Sequence, residues 1–60
     1  MSAAGKLELL LRHEHPTIDI RCHSLGDGRL VVRVESGHLI ALPRYFQGQR
    51  VERRALELAP

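Results

Sequence analysis

Sixty residues, 43% of them hydrophobic and 27% charged, suffice for one domain, and a chain of that length buries only about 60% of the surface its unfolded form exposes. This composition excludes wholesale disorder, and a single cysteine, Cys22, excludes an internal disulfide as the staple that so thin a core invites. The formal charge of +2 comes from nine basic and seven acidic residues, and eight of the nine basic ones are arginine, whose guanidinium suits bidentate contacts to phosphate and carboxylate.

Residues 1–5 read as a disordered leader ahead of a single small β domain over 6–60. The apolar run from Leu7 to Leu11 is too short for a signal-peptide core or a membrane span. With one unpaired cysteine, this points to a cytoplasmic protein with no membrane partner. Within 6–12, Leu7, Leu9 and Leu11 share one parity while Lys6, Glu8 and Arg12 take the other, which predicts a strand with Leu10 as its exception. Pro16 then interrupts it, lacking an amide donor and holding His15 extended.

Residues 17–23 alternate without error. Ile18, Ile20 and Cys22 fall on one face, and Thr17, Asp19, Arg21 and His23 on the other. Gly26 and Gly28 in the following Ser24-Leu25-Gly26-Asp27-Gly28 supply the positive φ that a chain reversal uses. A hairpin is expected next, with 29–35 and 38–43 as its strands and Ser36-Gly37 as its two-residue loop. In that register Glu35 faces His38, Val34 faces Leu39 and Val32 faces Ala41. One face is then Leu30, Val32, Val34, Leu39 and Ala41, the core. The other mixes Arg29, Arg33, Glu35 and His38 with Val31, Ile40 and Leu42, which is half apolar and calls for cover by the C-terminal segment or another subunit.

After Pro43 a turn or short helical turn is expected through Tyr45, Phe46 and Gly48. The tail fits two patterns. Val51, Ala55 and Leu58 make a helical face, while Leu56 and Leu58 around Glu57 alternate as a strand. The strand is preferred because a fifth strand would close a barrel and remove two edges. The expected fold is all-β: four or five antiparallel strands in a small barrel or curled meander, with the last segment a strand or short helix.

The run from Leu30 to Phe46, a strand, an acidic-serine-glycine turn, a second strand, Pro43 and the aromatic pair Tyr45-Phe46, resembles small uncharacterised bacterial β domains, some encoded beside toxin–antitoxin genes or fused to helix-turn-helix domains. It also resembles the last hairpin and short helical turn of SH3-like barrels. The N-terminal half carries no acidic aromatic stretch of the kind signalling SH3 domains use. The resemblance supplies no catalytic residues and implies a binding or regulatory accessory domain.

Chemistry-bearing residues are sparse. The histidines and the cysteine, His13-x-His15, Cys22-His23 and His38, lack the two close ligand pairs of a zinc site, and the parity of 17–23 sends Cys22 and His23 to opposite faces. Cys22 has no oriented base, and Asp19, Asp27, Glu35 and Glu52 are scattered among arginines. The expectation is a non-enzymatic protein without metal or cofactor. Its first reading is a binding or regulatory module acting through protein–protein interaction and self-association as a homo-oligomer. Val31, Ile40 and Leu42 would form the contact, with Tyr45 and Phe46 either plugging the barrel end or anchoring an interface. The second reading is binding to RNA or DNA through Arg21, Arg29 and Arg33 on one sheet face and a cluster of Arg50, Arg53 and Arg54.

Overall fold

A computed structural model describes residues 2–56. Its elements are α1 (Ala3–Glu14), β1 (Ile20–Ser24), β2 (Arg29–Glu35), β3 (Tyr45–Phe46) and β4 (Gln49–Leu56). The strands form one curled half-barrel sheet in the order β1-β2-β4-β3. Among the described residues β1 and β3 are its two edges, and the sheet does not close on itself.

The first element corrects the sequence reading: 6–12 is helix, not strand, and the helix reaches back to Ala3 within the stretch read as a leader. Alternation of Leu7, Leu9 and Leu11 competes here with the helical spacing of Ala4, Leu7 and Leu11. The helix wins by burying that second set while Leu9 and Leu10 stay about half exposed. Ser2 caps it, its Oγ accepting from the Gly5 N–H at 3.1 Å. Arg12 and His13 lie in the last turn, where a helix favours cations. The N–H of His15 closes on the Leu11 carbonyl at 2.9 Å, and Pro16 follows, where a helix ends readily.

β1 and β2 pair antiparallel, with Ile20 opposite Val34 and Cys22 opposite Val32. The turn between them places Gly26 and Gly28 at φ of 82° and 84°, the left-handed region that glycine enters without penalty. Ile20, Leu30, Val32 and Val34 point to one side and pack with Ala4, Leu7 and Leu11 of the helix as the buried core.

The second correction concerns β2's other neighbour. No hairpin forms at Ser36-Gly37. The His38 N–H reaches the Glu35 carbonyl at 3.3 Å in a turn that takes the chain out of the sheet, and β2 pairs in parallel with β4, from Arg29 opposite Arg50 to Glu35 opposite Leu56. Parallel neighbours require a crossover of about a dozen residues, and 36–48 is that crossover. The faces expected for 38–43 are reversed: Leu39 is 87% exposed and Ala41 is exposed, whereas Ile40 and Leu42 pack against the core. The sheet is therefore mixed rather than antiparallel throughout. An eight-residue β4 matches all seven residues of β2 in register, which a partner beginning at His38 and stopped by Pro43 would not.

The tail is strand through Leu56, and Leu58 of the alternating pattern lies outside the described residues. β3 joins β4 through Gln47-Gly48, both at positive φ (49° and 77°), the signature of a type I′ hairpin turn.

Candidate functional site

The side of the sheet away from the helix carries rows of side chains fixed by the register. Arg21 of β1 lies opposite Arg33 of β2, and Arg33 lies beside Arg54 of β4. A second row runs from Arg29 to Arg50 and on to Tyr45 of β3. Between them sit His23, Val31 and Glu52. Residues in register on one sheet face stand about 5 Å apart at Cβ, so five arginines from three strands share one surface.

The carboxylates among them are engaged. Arg29 donates from Nε to Asp27 Oδ2 at 2.9 Å and from Nη1 to Glu52 Oε1 at 3.2 Å, and Arg54 Nη2 donates to Glu52 Oε2 at 3.3 Å. Hydrogen bonds from Arg29 hold the Asp27 carboxyl below its usual range, and those from Arg29 and Arg54 do the same for Glu52. The two acceptors in turn raise Arg29 above the ordinary arginine value. Arg21 Nε stands 3.7 Å from Asp19 Oδ1. Arg33 and Arg50 have no carboxylate within ion-pair distance among the described residues. Val31, on the same face, is only 2% exposed. Arg29 and Arg33 flank it along the strand and His23 and Glu52 across it, and the stems of such long side chains cover apolar surface.

The set Arg21, Arg29, Arg33, Arg50, Arg53 and Arg54 is thus brought together except for Arg53. Its neighbour in register is Val32, on the helix side, and its Nη2 donates to the His38 carbonyl at 2.6 Å. The apolar set Val31, Ile40, Leu42, Tyr45 and Phe46 is not brought together. Val31 lies under the arginine face, while Ile40, Leu42 and Phe46 pack on the core from the other side. Tyr45 is 67% exposed and joins the arginine face, where it borders a groove of about 510 Å³ lined also by Arg44, Arg50 and Val51. Sequence reasoning passed over Arg44 and the pairing of Tyr45 with Arg50. The usable signal was Gln47-Gly48, a two-residue loop with one polar and one glycine position between short extended runs.

Cys22 sits on the helix side, partly buried, and burial followed by the nearby Glu8 carboxylate pushes its thiol up to about 11, with Arg12 opposing. It stays protonated at neutral pH and is not poised as a nucleophile. His38 Nε2 stands 3.1 Å from Glu35 Oε2 beside a smaller groove near Arg53 and Arg54. Among the described residues no three of His, Cys, Asp and Glu converge to hold a metal ion, and no helix is long and apolar enough to cross a membrane. No family of known sequences, no curated protein and no solved structure matches this chain.

Proposed function

We propose that this domain is a non-catalytic nucleic-acid-binding module that grips the phosphate backbone with its arginine face. The observation that carries the reading is the row Arg21, Arg33 and Arg54, three cations in direct register across β1, β2 and β4. Like charges placed opposite one another on a sheet disfavour the folded state. An anion laid across them offsets that repulsion, and guanidinium groups meet phosphate oxygens with paired hydrogen bonds. The engaged carboxylates leave Arg33 and Arg50 as the cations best placed to be the first to contact phosphate.

The test is fluorescence anisotropy of labelled RNA and DNA oligonucleotides over about 25 to about 200 mM salt. Affinity is expected to fall linearly in a log–log plot, by about 0.7 in slope for each single-strand phosphate contacted. Replacing Arg21 and Arg33 with Gln together should flatten the slope by about 1.4 if each holds one phosphate. Absence of binding at the lowest salt, or binding indifferent to salt, overturns the proposal.

A second reading, self-association, is favoured by a separate observation. β3 covers only Gln49 and Arg50 of β4, so from Glu52 to Leu56 that edge has no neighbouring strand among the described residues. Unpaired edges are templates for another chain. The Val51 N–H faces outward to the Arg44 carbonyl and the Arg50 N–H inward to Gly28, both at 2.9 Å, so by alternation the Ala55 N–H faces outward. Ala55→Pro should therefore abolish a dimer seen by light scattering while leaving the monomer folded. A monomeric parent protein at high concentration overturns this second reading.

A further inference from the structure

We infer that the nucleic acid bound is single-stranded, with the ring of Tyr45 stacking on one unpaired base while Arg44 and Arg50 hold the phosphates beside it. This rests on the proposed binding function and narrows its ligand. The ring lies where the arginine row ends: Tyr45 pairs with Arg50, and Arg50 with Arg29, so a strand tracking the cations reaches an exposed aromatic at the edge of the sheet. The groove there is open and mixes two guanidinium groups with the ring and Val51, and neither Arg44 nor Arg50 has a carboxylate within ion-pair distance among the described residues. Cationic grooves bordered by aromatic rings bind single strands because every unpaired base offers a face to stack. A duplex keeps its bases stacked on one another and offers the ring nothing. Phe46, the other aromatic, packs on the core, so the stacking position is Tyr45 alone.

The chain contains one Tyr and no Trp, so intrinsic emission excited near 280 nm, to which Phe contributes little, reports on Tyr45 directly, the wavelength being about that of tyrosine absorption. The experiment titrates the whole protein with oligouridine of about 12 nucleotides, a length within the site size of small single-strand binders, and with an RNA duplex of the same length. It follows Tyr emission at one fixed salt concentration and the anisotropy of the end-labelled oligonucleotides from about 25 to about 200 mM salt. The single strand is expected to bind at least about tenfold more tightly than the duplex and to quench the emission. Tyr45→Ala should weaken single-strand binding by about tenfold without changing the salt slope, and Tyr45→Phe should restore it, since stacking needs the ring and not the hydroxyl. Equal affinity for the two forms with unquenched emission, alongside a persistent salt slope, overturns this inference and leaves backbone binding standing. Failure of both forms to bind overturns both.

Discussion

Glu8 of the helix and Cys22 of β1 are joined by a hydrogen bond from the Cys22 backbone N–H to Glu8 Oε1 at 2.8 Å. One turn further along the helix, Arg12 Nε donates to the Ile20 carbonyl at 3.0 Å. Both backbone groups lie on the outer edge of β1, since Asp19 and Leu25 carry the bonds toward β2. The helix therefore does more than cover one face of the sheet. It also occupies a strand edge that would otherwise be open to another chain, using a carboxylate and a guanidinium that are themselves 3.8 Å apart.

Removing the acceptor should destabilise the fold. A hydrogen bond to a charged group contributes about 1.5–3 kcal/mol, and Glu8→Ala is expected to lose about that much in urea unfolding, with Glu8→Gln losing less because it still presents an oxygen. Amide exchange at Cys22 should accelerate in the alanine variant more than at Val32, which faces it across the ladder. Unchanged exchange at Cys22 would show that the contact holds nothing in place.

Burial first, and the same carboxylate second, suppress the thiol. With its pKa at about 11 against an ordinary 9.0, Cys22 carries about 100-fold less thiolate in the folded protein at mildly alkaline pH, and iodoacetamide should react slower by that order than after unfolding. Glu8→Gln removes the neighbouring negative charge and should accelerate alkylation of the folded form. Equal rates in folded and unfolded protein would mean that the thiol is not shielded.

Glu52 couples stability to pH and, under the proposed function, competes with phosphate for the arginines. Its folded pKa is depressed by the bonds from Arg29 and Arg54, so the stability it contributes is present above its ordinary value of 4.5 and is lost as pH falls through the lower folded value. The melting temperature should therefore drop on acidification, and Glu52→Gln should shallow that drop. The same substitution frees Arg54 and loosens Arg29, which keeps its bond to Asp27, and should raise oligonucleotide affinity several-fold at low salt. Weaker binding by Glu52→Gln would show that the carboxylate positions the arginines rather than competing for them.

Gln47 sits at φ 49°, a left-handed conformation that asparagine tolerates better than glutamine. Gln47→Asn should raise stability by about 0.5 kcal/mol through the turn alone, seen as a higher melting temperature with unaltered nucleic-acid affinity. A lower melting temperature would argue against the turn geometry.

Local patterning made the middle of the chain legible. The parities that place Ile20 and Cys22 inward, Arg21 and His23 outward, and Leu30, Val32 and Val34 in the core all hold. The helix was masked because leucines at 7, 9, 10 and 11 satisfy both periods. The tie-breakers were there: no Val, Ile or Thr precedes Thr17, Ser2 is a capping residue, and Pro16 is a stop. The parallel pairing of β2 with β4 was not legible, because a turn that reverses a strand and one that leaves the sheet share the same Ser-Gly signature. That pairing brings Arg50 and Arg54 beside Arg29 and Arg33, so the second half of the face depends on a long-range register that no short window contains. The exclusion of Arg53 follows from simple alternation once β4 is known to be a strand.

The crossover over 36–48 also has a temporal side. The β1–β2 pairing closes a short loop, whereas pairing β4 with β2 closes a longer one, so the expected order is β1 with β2 first and β4 after. In that order Arg21 and Arg33 would come together before Arg54 and Arg50 join them. A polyanion bridging Arg33 and Arg54 would engage only the completed sheet, so it would hold β4 in place by mass action without speeding its docking, and would draw the population toward the native arrangement.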